Sequence, residues 1–288
     1  MLRSMFSAVS GLRSHQTMMD VVGNNISNVN TTGYKASRTT FQETLTQLIR
    51  GGTAGEADDA GVAEGAGGQN PMQIGLGTQI AATDMVFTQG ASQSTGRPTD
   101  VAIQGDGFFV VREGADENVY TRAGAFSFDS AGNLTTPGGQ RVLGWELDED
   151  TGDRVDGDGE ENLIAVQVNP EDYTDITIGA NGTVTGRDED GRLVDLFDLG
   201  MARFPNVEGL ERAGNGLFRD SPAAGEAIVE GAGRDGIGSL QAGTLEMSNV
   251  DLAAEFTNLI MSQRGFQANA RTISTSDELL QELVNLKR

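Results

Sequence analysis

The chain has 288 residues, no cysteine, one histidine and 40 glycines, and its formal net charge is −22. That composition excludes a disulfide framework, a thiolate nucleophile and a cysteine-based zinc site. Nucleic acid is not expected as a partner, because so acidic a chain repels phosphate backbones. The charge is also uneven: residues 1–50 carry five Lys/Arg against two Asp/Glu, residues 249–288 carry four against five, and residues 51–248 carry 11 against 35.

The first sixteen residues interrupt their apolar positions with Ser, Arg and Gly every few places. No hydrophobic region of a cleaved Sec signal is expected there. The aliphatic runs, such as 163–166, are a few residues long, so membrane insertion is not expected either. Residues 2–29 read as a helix with a heptad pattern. Leu2, Val9, Gln16 and Gly23 form one seven-residue series, and Met5, Leu12, Met19 and Ile26 form the other.

The far end repeats the pattern. Leu252, Leu259, Phe266, Ile273 and Leu280 fall seven apart, interleaved with Phe256, Gln263, Ala270, Asp277 and Val284. Ser248 and Asp251 offer a helix start near residues 248–249. Over this length heptad and 3.6-residue periods differ little. Periodicity alone therefore leaves open whether the two helices pair with each other, pair with copies of themselves, or lie on a globular core.

Between the helices the pattern changes to short strands and turns. Val101–Ile103 and Phe108–Val111 flank Gly105-Asp106-Gly107, which reads as a hairpin. Further strand units are expected at 124–128, 142–147, 164–168 and 175–178, with Asn181-Gly182 turning the chain before Val184. Residues 51–70 hold seven Gly and four acids, which reads as a flexible linker. Residues 146–161 hold nine acids and one Arg, an acidic loop facing solvent.

No motif carries catalytic or metal chemistry. No register of 146–161 gives the alternating ligands, the turn glycine and the terminal glutamate of a Ca²⁺ loop. His15, the sole histidine, sits in the first heptad helix without a second His or a Cys to share a metal, and a structural role is expected for it. Gly75-Leu76-Gly77 lacks the third glycine of a dinucleotide loop. No cofactor and no enzymatic activity are expected. The run from Asn24 to Lys35 differs in kind, with Asn24, Asn25, Asn28 and Asn30 followed by Gly33, Tyr34 and Lys35. Asn, Ser and Thr compete with helical backbone bonds, and Gly33 can adopt positive φ as a helix C-cap.

That run, with Gly11-Leu12, Gln16 and Asp20–Gly23 before it, resembles the N-terminal signature of flagellar rod and hook proteins. Residues 245–252, 263–269 and 277–288 resemble the C-terminal signature of the same family. Gly75–Gly77, Phe87–Gly90, Thr95–Arg97, Asp100–Ile103 and Gly105–Phe109 resemble the start of its β domain.

The resemblance implies an α+β fold: a discontinuous coiled-coil domain of N- and C-terminal helices plus an all-β domain. The expected divisions are an N-terminal helix over 1–35, a Gly-rich linker over 36–74, a β domain over 75–245 with the acidic insertion, and a C-terminal helix over 246–288. It further implies a hook subunit, polymerising into a hollow helical tube that carries motor torque to the filament. The distal rod protein of the basal body is the alternative, and a secreted acidic Ca²⁺-binding adhesin a remote third. Leu2, Met5, Val9, Leu12, Met19, Ile26, Leu252, Phe256, Leu259, Phe266, Ile273, Leu280 and Val284 are the implied assembly face. Further copies, other axial proteins (distal rod, hook–filament junction, hook cap) and the flagellar export apparatus are the implied partners. The implied location is the hook or basal body.

Overall fold

The computed structural model describes residues 2–53, 68–114, 117–148, 154–155, 162–169, 172–188 and 190–286. The centre of the Gly-rich stretch and most of the acidic segment therefore lie outside the described residues. The chain divides into two compact units.

The first unit comprises residues 1–26, 37–84 and 252–288. It holds α1 (Leu2–Ser27), α2 (Leu252–Leu286), and the strands β1 (Ser37–Glu43), β2 (Thr46–Arg50), β3 (Met72–Gly75) and β4 (Thr78–Met85). The helices pack antiparallel. Ser262 Oγ donates to the His15 carbonyl at 2.7 Å. A methyl group on Gly265 would lie 2.5 Å from the His15 ring, and one on Gly11 would lie 2.6 Å from Asn269. The helices approach this closely because small residues line the contact: Ala8, Gly11 and Ser14 are buried in α1, and Ser262 and Ser276 are the buried residues of α2. The α2 start at Leu252 falls later than the expected 248–249, and Ser248 Oγ instead accepts the Val250 N–H at 3.3 Å.

The expected linker over 36–74 is corrected in part. β1 pairs with β4, and β2 pairs antiparallel with β3, as in Gln47 opposite Ile74. Thr39, Thr40, Phe41, Thr46 and Ile49 supply β-branched and aromatic residues that favour extended backbone. The neighbouring glycines obscure that signal. Asn25, at 0% exposure, clamps the ribbon's first residue: its Oδ1 accepts Ser37 N at 2.9 Å and its Nδ2 donates to Ser37 O at 2.8 Å.

The second unit comprises residues 27–36 and 85–251. Its core is β7 (Phe108–Glu113), which pairs antiparallel with β8 (Glu117–Thr121) and with β11 (Arg141–Glu146). Strand alternation sends Phe109 and Val111 into one hydrophobic cluster and Phe108 and Val110 into another. Both faces of the strand are buried, which is why its four apolar residues run without a polar interruption.

The hairpin expected around Gly105–Gly107 does not form. β6 (Val101–Gln104) instead pairs with β20 (Ser239–Ala242), from the far end of the unit. Gly105 and Gly107 adopt φ of 107° and 140°, and they carry the chain from one sheet to another. The Asn181-Gly182 hairpin does form: β13 (Thr174–Ile178) pairs with β14 (Thr183–Arg187) across Gly182 at φ 89°.

Arg154, the one arginine of the acidic segment, turns inward. Its Nη2 lies 2.9 Å from Asp198 Oδ2, and its guanidinium carbon stands 3.8 Å from the centre of the Trp145 ring. The acidic segment is thus pinned to the β core at this residue.

Candidate functional site

The second unit brings the two ends of the chain's signature together at one buried point. α1 stops at Ser27, and the residues that follow form tight turns in which the Thr31 N–H donates to the Asn28 carbonyl and Thr31 Oγ1 to Asn28 Oδ1, at 3.1 and 3.0 Å. Gly33 adopts φ 67°, the expected left-handed conformation, but in the loop beyond the helix and not at its cap. Its N–H donates to the Glu246 carbonyl at 2.8 Å. A side chain could not stand there: a methyl group would lie 2.7 Å from the Ala123 nitrogen and 2.8 Å from the Arg122 carbonyl carbon.

From the same loop Lys35 enters the interior. Its ammonium donates to Glu246 Oε1 at 2.7 Å and to the Thr88 carbonyl at 2.8 Å. Arg122, which follows β8, donates Nε to Glu246 Oε2 at 2.7 Å and Nη1 to the Gly107 carbonyl at 2.7 Å. The Gly90 N–H completes the carboxylate's shell at 2.9 Å from Oε1. The side chains of Lys35, Glu246 and Arg122 are 1%, 1% and 6% exposed. Glu246 ends β21 (Thr244–Glu246), which pairs with β5 (Ser92–Ser94), so strand pairing brings the C-terminal segment back to this point.

Burial opposes charge on Glu246, but Arg122 and Lys35 outweigh it and hold the carboxyl below its usual range. Burial also pushes the Lys35 ammonium down, against the pull of Glu246. One carboxylate therefore serves two cations, and removing it would strand both.

Other contacts enclose the triad. The Arg212 guanidinium donates to the Lys35 carbonyl and stands 4.8 Å over the Tyr34 ring. Asn249 accepts the Ala36 N–H at 2.7 Å and donates to the Val86 carbonyl at 2.7 Å. Nothing in this arrangement is a nucleophile poised beside a base. What it can do is hold the 33–36 and 246–249 segments together inside the second unit.

Of the signature residues, Gly33, Tyr34 and Lys35 meet here. Asn25 serves the first unit instead, Asn28 shapes the turn, and Asn24 and Asn30 face solvent. Glu246, Arg122, Gly90 and Asn249 are not singled out by the sequence as a site. The signal for Glu246 is its place as the one acid between residues 236 and 250, in a stretch that pairs as strand.

The expected assembly face is distributed along both helices. Val9, Leu252, Phe256 and Val284 are exposed; Met5, Leu12, Met19, Ile26, Leu259, Phe266, Ile273 and Leu280 are half-buried. The Leu2 side chain lies outside the described residues. The closest approaches between α1 and α2 are made by small residues, Gly11, Ser262 and Gly265.

Residues 5–35 match the family model described as flagella basal body rod protein, and residues 102–186 match that of the flagellar hook protein FlgE/F/G D1 domain. Residues 241–286 match that of the flagellar basal body rod FlgEFG protein C-terminal. Each matched segment contributes one member of the triad: Lys35, Arg122 and Glu246. The chain is 44% identical to the flagellar basal-body rod protein FlgG of Bacillus subtilis, over the full length of both. It is 36% identical to the FlgG of Borreliella burgdorferi, again over all of both chains.

The hook protein FlgE of Borreliella burgdorferi is 31% identical over an alignment of 449 residues, far longer than this chain, so it carries long stretches with no counterpart here. These identities correct the expectation of a hook subunit. Rod relatives match better and at the chain's own length, and the alternative expectation, the rod, is the better supported.

Proposed function

The chain belongs to the family of flagellar basal-body rod and hook proteins, and from that premise we propose that it is a subunit of the distal rod, built by polymerisation of this chain. It does so without catalysing a reaction and without a cofactor. The helices form the wall around the export channel. The subunit is exported through the flagellar export apparatus and meets other axial proteins at the two ends of the polymer.

The observation that carries polymerisation is the apolar surface the first unit leaves uncovered. Its helix contact consumes small residues, while Phe6, Phe256, Ile260 and Met261 are 71%, 50%, 57% and 55% exposed. Leu48, Ile49 and Met72 on the ribbon are also at least half exposed. A two-stranded ribbon is marginal without a packing partner, and this much exposed apolar side chain supports an interface. Val9 and Phe256, with Phe266 and the other half-buried heptad residues, then gain burial from neighbouring copies. Many weak contacts made at once give a polymer the stability that a single pair lacks.

Purified protein, concentrated at neutral pH without added metal, should form hollow tubes visible by negative-stain electron microscopy. A chain that sediments as a monomer at every attainable concentration contradicts the proposal.

A further inference from the structure

The register of the helix pair leaves the end of α2 without a partner. Gly11 stands beside Asn269 and His15 beside Gly265, so each step along α1 is a step back along α2. Continued to the start of α1 at Leu2, this register reaches about residue 278 of α2, which runs on to Leu286. On that overhang Leu279, Leu283 and Leu286 are 51%, 51% and 82% exposed. Their spacing of four and three places them on one helix face. Glu278 and Glu282 lie beside that face, and residues 272–286 hold three acids and no Lys or Arg.

The same unit carries a groove of complementary character. It has a volume of about 510 Å³ and lies between α1 and the ribbon, lined by Phe6, Val9, Arg13, Thr17, Thr78 and Ile80 among others. Its floor is fixed: the Thr78 N–H donates to Ser10 Oγ at 3.2 Å, and Gly77 approaches so closely that an added methyl would lie 2.2 Å from that oxygen. Arg13 is exposed and has no ion-pair partner among the described residues.

Resting on the rod reading, we propose that the Leu279–Leu283–Leu286 face of α2 seats in this groove on the next copy of the chain, with Glu278 and Glu282 beside Arg13. An amphipathic helix in an apolar groove, anchored at i, i+4 and i+7, is a recurrent recognition mode. A helix end on one copy and a groove on another make a heterologous contact. Such a contact propagates into a helical polymer and does not close into a dimer. The occupant is a second copy because the overhang cannot reach its own groove. By the register above, Val9 stands beside residue 271, so Leu283 lies about 18 Å further along the helix axis.

The absence of native cysteine makes the test direct. A Val9→Cys/Leu283→Cys chain, assembled and mildly oxidised, should give a reducible ladder of dimers, trimers and longer species on a denaturing gel. Its own two cysteines are too far apart to bridge within one chain. Each single-cysteine variant should stay monomeric on the same gel. Arg13→Glu should abolish assembly, and adding Glu282→Arg should restore it. Tubes that form normally but give no ladder overturn the proposal while leaving the rod reading intact. Dimers from Leu283→Cys alone overturn it as well, since they place two helix ends against each other. A wild-type chain that forms no tubes counts against the rod reading itself.

Discussion

Replacing Glu246 with glutamine should lower the unfolding free energy of the β unit by about 3–5 kcal/mol, the usual cost of removing one partner from a buried ion pair. Lys35 and Arg122 would remain, at 1% and 6% exposure, with no carboxylate between them. The amide could accept one of their hydrogen bonds but neutralise neither. Chemical denaturation followed by Trp145 fluorescence reads the change, because that ring is buried in the same unit.

Replacing all three charges with apolar residues of similar size should cost much less, since the triad's desolvation is then avoided too. Acid should imitate the glutamine. The Glu246 carboxyl is held below its ordinary range in the folded protein, so the folded state binds fewer protons there than the unfolded chain. Its stabilisation is therefore complete above the unfolded carboxylate range and is lost as pH falls through the lowered folded value. Glu246→Gln should flatten that acid limb of the stability profile. Equal stability of wild type and Glu246→Gln at neutral pH would show that the triad holds nothing together.

Gly33→Ala should be the other severe substitution. Two separate costs meet at this residue. A left-handed backbone costs a residue with a Cβ about 1–2 kcal/mol. The new methyl would also press on the backbone of residues 122–123, at 2.7 and 2.8 Å, where no flexible side chain can yield. Gly96 separates the two effects, since it has φ 71° with nothing within 4 Å of an added methyl. Gly96→Ala should lose only the conformational cost, and Gly33→Ala clearly more. If the two variants melt together, the close approach at Gly33 carries no weight. Gly33→Ala should also displace Lys35, two residues on, and so share part of its cost with Glu246→Gln. The double variant should then lose less than the two single losses added together.

The architecture was legible where one physical rule acted alone. Heptad spacing placed both helices, and short apolar runs bounded by turn residues placed β7 and β11. Asn181-Gly182 marked its hairpin because the turn needs positive φ at the glycine. Legibility failed where partners were distant in sequence. Val101–Ile103 reads as half of a local hairpin, yet it pairs with Ser239–Ala242, because strand pairing is set by the closure of the whole sheet. The ribbon of β1 to β4 was hidden because its side chains are largely exposed, so no burial alternation marks it.

The site was half legible. Gly33 and Lys35 stand in a run whose composition calls for explanation, whereas Arg122 and Glu246 are single charges within strand-rich sequence. Only the fold brings two cations so far apart in sequence to one carboxylate. The helix seam misled in a different way. Heptad leucines and phenylalanines suggest where the two helices meet, but Gly11, Ser262 and Gly265 make their closest approaches.

A distal-rod subunit must be in place before the hook can be built beyond it. Deleting the gene and imaging purified basal bodies by electron microscopy tests this order of assembly. Truncated rods with no hook are expected, with restoration of both by the wild-type gene. Basal bodies with complete rods that lack only the hook would contradict it.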